Sequence, residues 1–271
     1  MLLSWNVQGK VRRVPEQAAR VVRLRPDAVC LQEVTASAVP LWEHALRSLG
    51  LEPALHPQAW TAGEARGRRL AVLTAARGRV EVVGGIAGAP WPERALVVRL
   101  EDGLELVNVH SPISQTPGLV KVETHEAVHA YLRERADAAC VLCGDLNTPR
   151  REHPDGRVWT FARDRYGRLR AERGERWDNA ELALIRGLEP YGFRDAFRTL
   201  HGYAEREPSW EWPKWGGGWR LDHLIVSAPV RVSTCRYEHE WRRTGLSDHS
   251  PLVAEIQGLS RQTRAPAAPD A

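Results

Sequence analysis

The segment "ACVLCGDLN" at residues 139–147 joins an apolar run directly to a polar cluster. The apolar part is typical of a buried strand in a sheet that is covered on both faces. In such a strand Cys140 and Cys143 point to opposite faces, which favours two buried thiols over a zinc-binding or redox C-x-x-C pair. The abrupt change after Cys143 predicts that Asp145 and Asn147 lie at the end of the strand.

The chain around this segment alternates strand and helix patterns. The strand patterns are "LLSWNV" (2–7), "DAVCLQEV" (27–34), "RLAVLTA" (69–75), "VEVVGG" (80–85), "RLDHLIVS" (220–227), "VRVSTCRYEHE" (230–240), "SPLVAEIQ" (250–257) and a hairpin over 95–112 that turns at Asp102-Gly103. Helix patterns cover 15–25, 36–49, 118–135 and 179–188. This succession predicts an α/β fold in which two packed mixed β-sheets are flanked by helices.

Composition and charge narrow the class of protein. The 271 residues carry a formal net charge of +4, which suits an anionic substrate but does not by itself indicate nucleic acid. The four cysteines fit no disulfide framework and the first residues lack a signal-peptide pattern, so we expect a cytoplasmic setting. No stretch approaches the ~20 apolar residues of a membrane span, and no membrane partner is expected. We expect one monomeric domain over 1–257 and a disordered tail over 258–271.

Residues 150–176 interrupt the alternating pattern. They contain nine arginines and five acidic residues, a net charge of about +4 that equals the charge of the whole chain. We interpret this stretch as an Arg-rich surface insertion with a small hairpin around Tyr166-Gly167. Its arginines either bind phosphates, with Arg151 as the candidate, or form an ordinary solvated surface.

Polar side chains recur where the predicted strands end. They are Ser4 and Asn6, Gln32 and Glu33, Asn108 and His110, Asp145 and Asn147, Asp222 and His223, and Asp248 and His249. A single acid at a strand end is more often a turn or helix cap than a ligand. Six such ends in one chain favour a common site, because catalytic residues gather where a rigid sheet presents its strand ends and loops.

The chemistry available to this set is narrow. Carboxylate and amide oxygens without clustered cysteines suit Mg²⁺ or Mn²⁺ rather than zinc. Histidines beside acids suit proton transfer or contacts with phosphate oxygens. The sequence has no G-x-x-x-x-G-K-[ST] loop and no G-x-S-x-G elbow. The remaining interpretation is metal-assisted attack of water on a phosphoester.

Six segments then point to a family. They are "SWNVQG" (4–9), "LQEV" (31–34), "NVHSP" (108–112), "CGDLN" (143–147), "GWRLDH" (218–223) and "GLSDHSP" (245–251), in this order. Together they resemble the motifs of the endonuclease/exonuclease/phosphatase superfamily, which includes deoxyribonuclease I, exonuclease III, apurinic endonucleases, sphingomyelinases and inositol-polyphosphate 5-phosphatases. The resemblance extends from residue 4 to 252 and implies a four-layer α/β sandwich with a Mg²⁺ or Mn²⁺ cofactor.

The resemblance also implies roles for individual residues. The metal ligands it implies are Asn6, Glu33, Asp145, Asn147 and Asp248, with Glu33 as the principal carboxylate. The catalytic residues it implies are His110, Asp145, Asn147, Asp222 and His249. Asp145 would orient or deprotonate the attacking water, and Asn147 would hold that water or the phosphate. His249 and His110 would contact the phosphate, and Asp222 would keep His249 positively charged.

The substrate is less narrowly defined. "GWRLDH", "GLVKVE" (118–123) and the tryptophans near residue 210 resemble exonuclease III and the apurinic endonucleases. This predicts substrate binding by Lys121, Trp210 and Trp219, within an aromatic surface that also includes Trp212 and Trp215. Arg151 is a further substrate-binding candidate from the Arg-rich insertion, which none of the well-known branches of the family shares. Several of the 11 tryptophans must nevertheless simply fill the core.

Two positions depart from the repair nucleases. Gln8 stands where those nucleases usually carry an acid. His110 stands where they carry a tyrosine, and a histidine at this position is more similar to deoxyribonuclease I and the sphingomyelinases. The leading hypothesis is a divalent-metal phosphodiesterase that acts on nucleic acid, in particular DNA. The alternatives are the same site acting on a small phosphoester, a nucleotide or a lipid headgroup, and a non-catalytic member that binds nucleic acid or protein.

Overall fold

The computed structural model describes residues 1–60, 70–212, 217–257 and 259. The strands are, in chain order, β1 (Leu2–Asn6), β2 (Ala28–Thr35), β3 (Leu51–Leu55), β4 (Leu70–Arg77), β5 (Val80–Gly84), β6 (Ala95–Leu100), β7 (Glu105–His110), β8 (Cys140–Asp145), β9 (Arg151–Glu152), β10 (Val158–Trp159), β11 (Arg194–Asp195), β12 (Trp210–Glu211), β13 (Gly218–Trp219), β14 (Asp222–Val226), β15 (Val232–Tyr237) and β16 (Leu252–Ile256). The α-helices are α1 (Val14–Leu24), α2 (Val39–Ser48), α3 (Val120–Arg133), α4 (Gly174–Ile185), α5 (Ala196–His201) and α6 (His239–Arg243).

Two six-stranded sheets form the centre of the described chain. The first has the strand order β15-β16-β1-β2-β4-β3 and the second β11-β14-β8-β7-β6-β5. Each sheet contains one parallel pair, β1 with β2 and β7 with β8, and the remaining neighbours are antiparallel. Both sheets are therefore mixed, as the sequence predicted.

Three apolar clusters give the molecule four layers. Leu2 and Leu106 belong to a cluster that draws residues from both sheets and lies between them. Trp42 of α2 packs with outward-facing residues of the first sheet, and Val128 of α3 packs with those of the second. The order helix, sheet, sheet, helix is the predicted four-layer α/β sandwich, and it buries both faces of each sheet.

Strand β8 shows how the opening segment fits this architecture. Cys140 belongs to the cluster between the second sheet and its helices, and Cys143 to the cluster between the sheets. The two thiols therefore face opposite ways, and all four cysteines are free and buried. This confirms the interpretation of the C-x-x-C as buried thiols.

Some predicted boundaries were wrong. The helix predicted at 179–188 is α4, which begins at Gly174. The strand predicted to run to residue 240 ends at Tyr237, and α6 begins at His239. Strand β3 was missed because Pro53, which usually marks a break, lies within it at the edge of the first sheet.

Among the described residues, no helix has the length and apolar content needed to cross a bilayer.

The Arg-rich segment 150–176 is anchored to the rest of the fold more firmly than the predicted surface insertion would be. Thr160 and Ala162 are buried, and Thr160 Oγ1 donates a hydrogen bond of 2.5 Å to Asp178 Oδ1 on α4. Arg163 forms an ion pair of 2.5 Å with the same carboxylate. The bridge between Arg163 and Leu169 matches the hairpin predicted around Tyr166-Gly167.

Most of the predicted tail and one predicted aromatic residue lie outside the described residues. Of residues 258–271 only Leu259 is described, and its side chain is buried between the sheets. Trp215 also falls outside the described ranges. The tail and the single-domain boundary at residue 257 remain predictions.

Candidate active site

Three predicted site residues lie side by side across the second sheet. His110 on β7 is in register with Asp145 on β8, and Asp145 is in register with Asp222 on β14. All three side chains are buried. The site forms here because β7 and β8 are parallel and end together, while antiparallel β14 begins at the same edge.

Glu33 approaches this row from the first sheet. It has a φ of 57° and lies where the pairing of β2 with β4 is irregular, between Leu31 and Val34. A bulge of this kind re-aims a side chain out of the regular alternation. The Glu33 Oε1 atom lies 3.6 Å from His110 Nε2, and its side chain is 18% exposed. Glu33 is thus more open to solvent than Asp145 and Asp222, whose side chains are only 2% exposed.

Asn6 connects the two sheets at the site. Its Nδ2 atom donates to Asp145 Oδ2 at 3.0 Å and to Glu33 Oε1 at 3.3 Å. Its Oδ1 atom accepts from the backbone N–H of Gln8 at 2.9 Å. Because the amide presents N–H groups to the carboxylates, Asn6 orients the two acids in this geometry, and its role as a metal ligand stays a prediction.

A buried carboxylate–imidazole pair forms the other side of the site. His249 Nδ1 lies 2.8 Å from Asp222 Oδ2, and His249 Nε2 lies 3.7 Å from Asp145 Oδ2. Burial disfavours the charged imidazole, but the carboxylates of Asp222 and Asp145 outweigh burial and raise the pKa of His249 to about 10. His249 is therefore an imidazolium at neutral pH, with Nε2–H directed toward Asp145.

Asp145 lies at the centre of the arrangement. Burial raises the pKa of its carboxyl above the usual range, His249 opposes that shift, and Asp222 adds to it. The backbone N–H of Asn147 donates to Asp145 Oδ1 at 2.9 Å. Asn147 has a φ of 51° and donates from Nδ2 to the Ser111 carbonyl at 2.8 Å, which fixes its side chain beside Asp145.

Asp248 lies next to the aromatic residues. Its Oδ2 atom accepts a hydrogen bond of 3.3 Å from Trp210 Nε1. Trp210 pairs with Trp219 across β12 and β13, and their rings stack with centroids 5.1 Å apart and an interplanar angle of 7°. The aromatic pair predicted to contact substrate is thus linked to the site through Asp248, with the two indoles packed on each other.

Lys121 does not have the role that the sequence predicted. Its side chain is fully buried, and Nζ donates to Glu181 Oε1 at 2.7 Å, Asn147 O at 2.7 Å and Ser114 Oγ at 3.1 Å. With its three N–H groups engaged, Lys121 has none left for a substrate. The prediction that it binds substrate was wrong, and its observed role is to hold the backbone at Asn147.

The acid that pairs with the buried Lys121 was not predicted from the sequence. Glu181 on α4 is buried and also accepts from Thr148 Oγ1 at 2.6 Å and from the backbone N–H of Phe161 at 2.8 Å. It therefore ties the loop after Asp145 to the Arg-rich segment. The one sequence signal was an acid among the apolar positions of the helix predicted over 179–188.

Gln32 and Asn108 were predicted at the site but serve the packing of the sheets. Gln32 Nε2 donates to Asn108 Oδ1 at 2.8 Å, and Asn108 Nδ2 donates to the carbonyls of Leu31 at 3.2 Å and Leu73 at 3.1 Å. Both side chains are fully buried between the sheets. They join the sheets directly behind the edge that carries His110, Asp145 and Asp222, which we call the catalytic edge.

Within the described residues, one acid–histidine group is compact enough to surround a metal ion. It consists of Asp145, Asp222 and His249, whose ligand atoms lie within 4.8 Å of one another. A metal-binding imidazole must be neutral, whereas His249 is held as an imidazolium by Asp222. The donor atoms that fit a hard cation are instead the oxygens of Asp145 and the more exposed Glu33.

The site thus combines buried carboxylates and imidazoles at one edge of a four-layer sandwich of two mixed sheets. The chain belongs to the Endonuclease/Exonuclease/phosphatase family, whose model matches residues 3–249. No curated protein shows a significant sequence match to it.

Solved structures of low sequence identity share the fold. An AP endonuclease from Archaeoglobus fulgidus superposes with a TM-score of 0.72 at 21% identity, covering 94% of this chain and 98% of that chain. The 3′ phosphatase NExo from Neisseria, bound to product DNA hairpin, gives 0.68 at 21% identity over 94% and 98%. D. rerio TDP2, complexed with single strand DNA product, gives 0.64 at 19% identity over 94% and 97%.

Proposed function

We propose that this chain hydrolyses phosphodiester bonds in DNA with the help of Mg²⁺ or Mn²⁺. The observation that carries the proposal is the grouping of Glu33 and Asp145, joined by Asn6, between the imidazoles of His110 and His249. Membership of the family supports hydrolysis of a phosphoester. The AP endonuclease, the phosphatase bound to DNA and the TDP2 complex support DNA as the substrate.

The ion would be held by Glu33 with Asp145. Asp145 and Asp222 are buried like charges, and burial together with Asp222 raises the pKa of Asp145. A cation beside Glu33 and Asp145 would offset this repulsion. When bound, Mg²⁺ supplies positive charge against the phosphate oxygens as negative charge builds on them. Asp248, which accepts a hydrogen bond from Trp210, would not belong to the pair of carboxylates that holds the ion.

The side chains would divide the remaining work. Asp145 would accept the proton of the water that attacks phosphorus, with Asn147 positioning that water or the phosphate. His249, kept protonated by Asp222, would donate from Nε2 to a phosphate oxygen in the transition state. His110 would add a second contact from the opposite side. Such donors contribute most where charge develops in a site that excludes water.

The setting proposed for this activity is a monomer in a reducing cytoplasm. Support comes from the four free, buried cysteines of the chain. Gel filtration with light scattering tests the monomer, with a mass near 30.4 kDa expected and twice that mass contradicting it.

Parallel hydrolysis assays test the proposed substrate. Plasmid DNA, a duplex with one abasic site and bis-p-nitrophenyl phosphate are each incubated with the protein, with EDTA and with Mg²⁺ or Mn²⁺ restored. We expect metal-dependent cleavage of DNA. Cleavage of the small diester alone would replace DNA with a small phosphoester as substrate, and no cleavage of any substrate would contradict the proposed function.

A further inference from the structure

A cavity of about 530 Å³ opens beside the candidate active site. Its walls come from the segments 149–154, 203–208 and 217–220, together with Arg198 and Trp212. Pro149 follows Asn147 by two residues, and Trp219 precedes Asp222 by three. The cavity is therefore built on the two chain segments that also carry the catalytic edge, yet neither Asp145 nor His249 is among its described lining residues.

The acids in the cavity wall already have basic partners. Glu152 binds Arg198 at 2.6 Å and Arg220 at 2.7 Å, and both guanidinium groups are buried. Glu205 lies 3.4 Å from His201, and Glu207 is paired with His239. The charge of Glu152 is thus balanced within the fold, and Glu205 and Glu207 each lie against an imidazole.

Three arginines of the wall, in contrast, lack an ion-pair partner among the described residues. Arg150, Arg151 and Arg206 form no ion pair with any carboxylate of the described residues, and Arg151 and Arg206 are exposed. Arg151 instead lies over the ring of Trp159, 5.4 Å from its centroid. The described lining contains five arginines and three glutamates, so the cavity carries a net positive charge that attracts an anion.

The cavity also offers an aromatic face. Trp212 is 44% exposed, which is unusual for an indole in a folded chain. Its ring stands edge-on to the stacked pair, at 77° to Trp210 and 70° to Trp219. Trp210 and Trp219 cover each other, so Trp212 is the indole of the three that presents the most open face to a flat ligand.

We propose that this cavity binds an unpaired nucleotide of the DNA strand whose neighbouring phosphodiester lies in the active site. Arg150, Arg151 and Arg206 would contact its phosphate, and Trp212 would stack on its base. Phosphate charge together with a planar ring is the chemistry that single-strand sites recognise. The inference rests on the proposed function and narrows it to DNA that carries a single-stranded segment.

Fluorescence anisotropy with the full chain carrying Asp145→Asn tests the inference without requiring hydrolysis. Two labelled duplexes are compared, identical except that one has a four-nucleotide single-stranded extension. We expect the extended duplex to bind at least about tenfold more tightly. Adding Trp212→Ala should remove most of this preference, and adding Arg206→Ala should reduce the slope of log Kd against log salt by about 1.

Arg23→Ala is the matched control for charge. Arg23 is exposed at the end of α1, just before β2 begins, and so lies at the opposite end of the first sheet from Glu33. It should leave both affinities unchanged. Equal affinity for the two duplexes, or a preference that survives both Trp212→Ala and Arg206→Ala, would overturn the inference.

A competition arm separates base recognition from simple anion binding. Deoxyadenosine monophosphate should displace the extended duplex at a lower concentration than inorganic phosphate does. Equal competition by the two would overturn the stacking role of Trp212. Absence of metal-dependent hydrolysis in the assays above would refute the proposed function instead, so the two failures are separate observations.

Discussion

The imidazole of His249 is locked to the carboxylate of Asp222, with Nδ1 and Oδ2 2.8 Å apart in a buried setting. This pair directs Nε2 toward Asp145 and raises the pKa of His249 to about 10. Asp222 reaches this position because β14 begins beside the end of β8. His249 is therefore an imidazolium at neutral pH, with its Nε2–H directed toward Asp145.

Asp222→Asn should lower kcat for DNA cleavage by about 100-fold or more, because the neutral amide no longer stabilises the imidazolium. KM should change little, since Asp222 is buried behind His249. Steady-state kinetics at pH 7 measure this. Asp137→Asn, an exposed position before β8, is the control and should match the unmodified chain. An unchanged kcat in Asp222→Asn would refute the role given to the pair.

Lys121→Met should lower the free energy of unfolding by about 3–5 kcal/mol, because it leaves Glu181 as an uncompensated buried charge. Urea denaturation measures the loss. Lys10→Met is the comparison, since Lys10 is only half-buried, and it should cost far less. Similar losses in both variants would show that the Lys121–Glu181 pair does not support the loop at Asn147.

Gly144→Ala should destabilise the fold by about 2 kcal/mol or more. A methyl group there would lie 2.0 Å from the carbonyl oxygen of Val109 on the neighbouring strand, at a φ of 130°. Gly103→Ala separates the two causes, because Gly103 also has a positive φ, 87°, but open space around it. The difference between the two variants in urea denaturation measures the clash. A smaller loss for Gly144→Ala than for Gly103→Ala would contradict the close strand contact.

Acid should weaken the fold through Glu152. Burial alone would raise the pKa of this carboxyl, but Arg220 and Arg198 outweigh burial and lower it from 4.5 to about 2. A lowered pKa gives stability that is complete above pH 4.5 and is lost as the pH falls toward 2. The shift corresponds to roughly 3 kcal/mol.

Glu152→Gln should therefore be less stable than the unmodified chain at pH 6, and the gap should narrow as the pH falls from 5 to 3. Urea denaturation across this range gives the comparison. Glu134→Gln serves as the control, because the Glu134 side chain is 80% exposed. A gap that stays constant with pH would contradict the assignment of the acid sensitivity to Glu152.

The catalytic edge was largely predictable because its signal is local. Polar residues at the end of apolar runs, as Asp145 is the last residue of β8, mark strand ends, and the ordered motifs indicated which ends meet. Two packed mixed sheets flanked by helices followed from the same runs, and the resemblance to the family implied the four-layer sandwich. What strand ends cannot reveal is the direction in which an amide faces, and Asn6 donates to the acids where an oxygen ligand was expected.

The errors share a physical cause, which is pairing across long sequence distances. Lys121 looks like a surface cation on a helix, and its burial depends on Glu181, 60 residues away. The Arg-rich segment looks like a solvated insertion until Thr160 and Arg163 meet Asp178 on α4. The sequence shows each charge but not its partner, and the partner decides whether the charge is buried.

The most direct test of the account is strand cleavage of plasmid DNA by Glu33→Gln beside the unmodified chain, in EDTA and after Mg²⁺ is restored. Glu33→Gln keeps the shape of the side chain but removes the more exposed of the two carboxylates proposed to hold the ion. Glu16→Gln, on the exposed face of α1, is the matched control. We expect Mg²⁺-dependent cleavage by the unmodified chain and by Glu16→Gln, and a rate at least about 100-fold lower for Glu33→Gln. Full activity of Glu33→Gln, or cleavage that EDTA does not reduce, would contradict it.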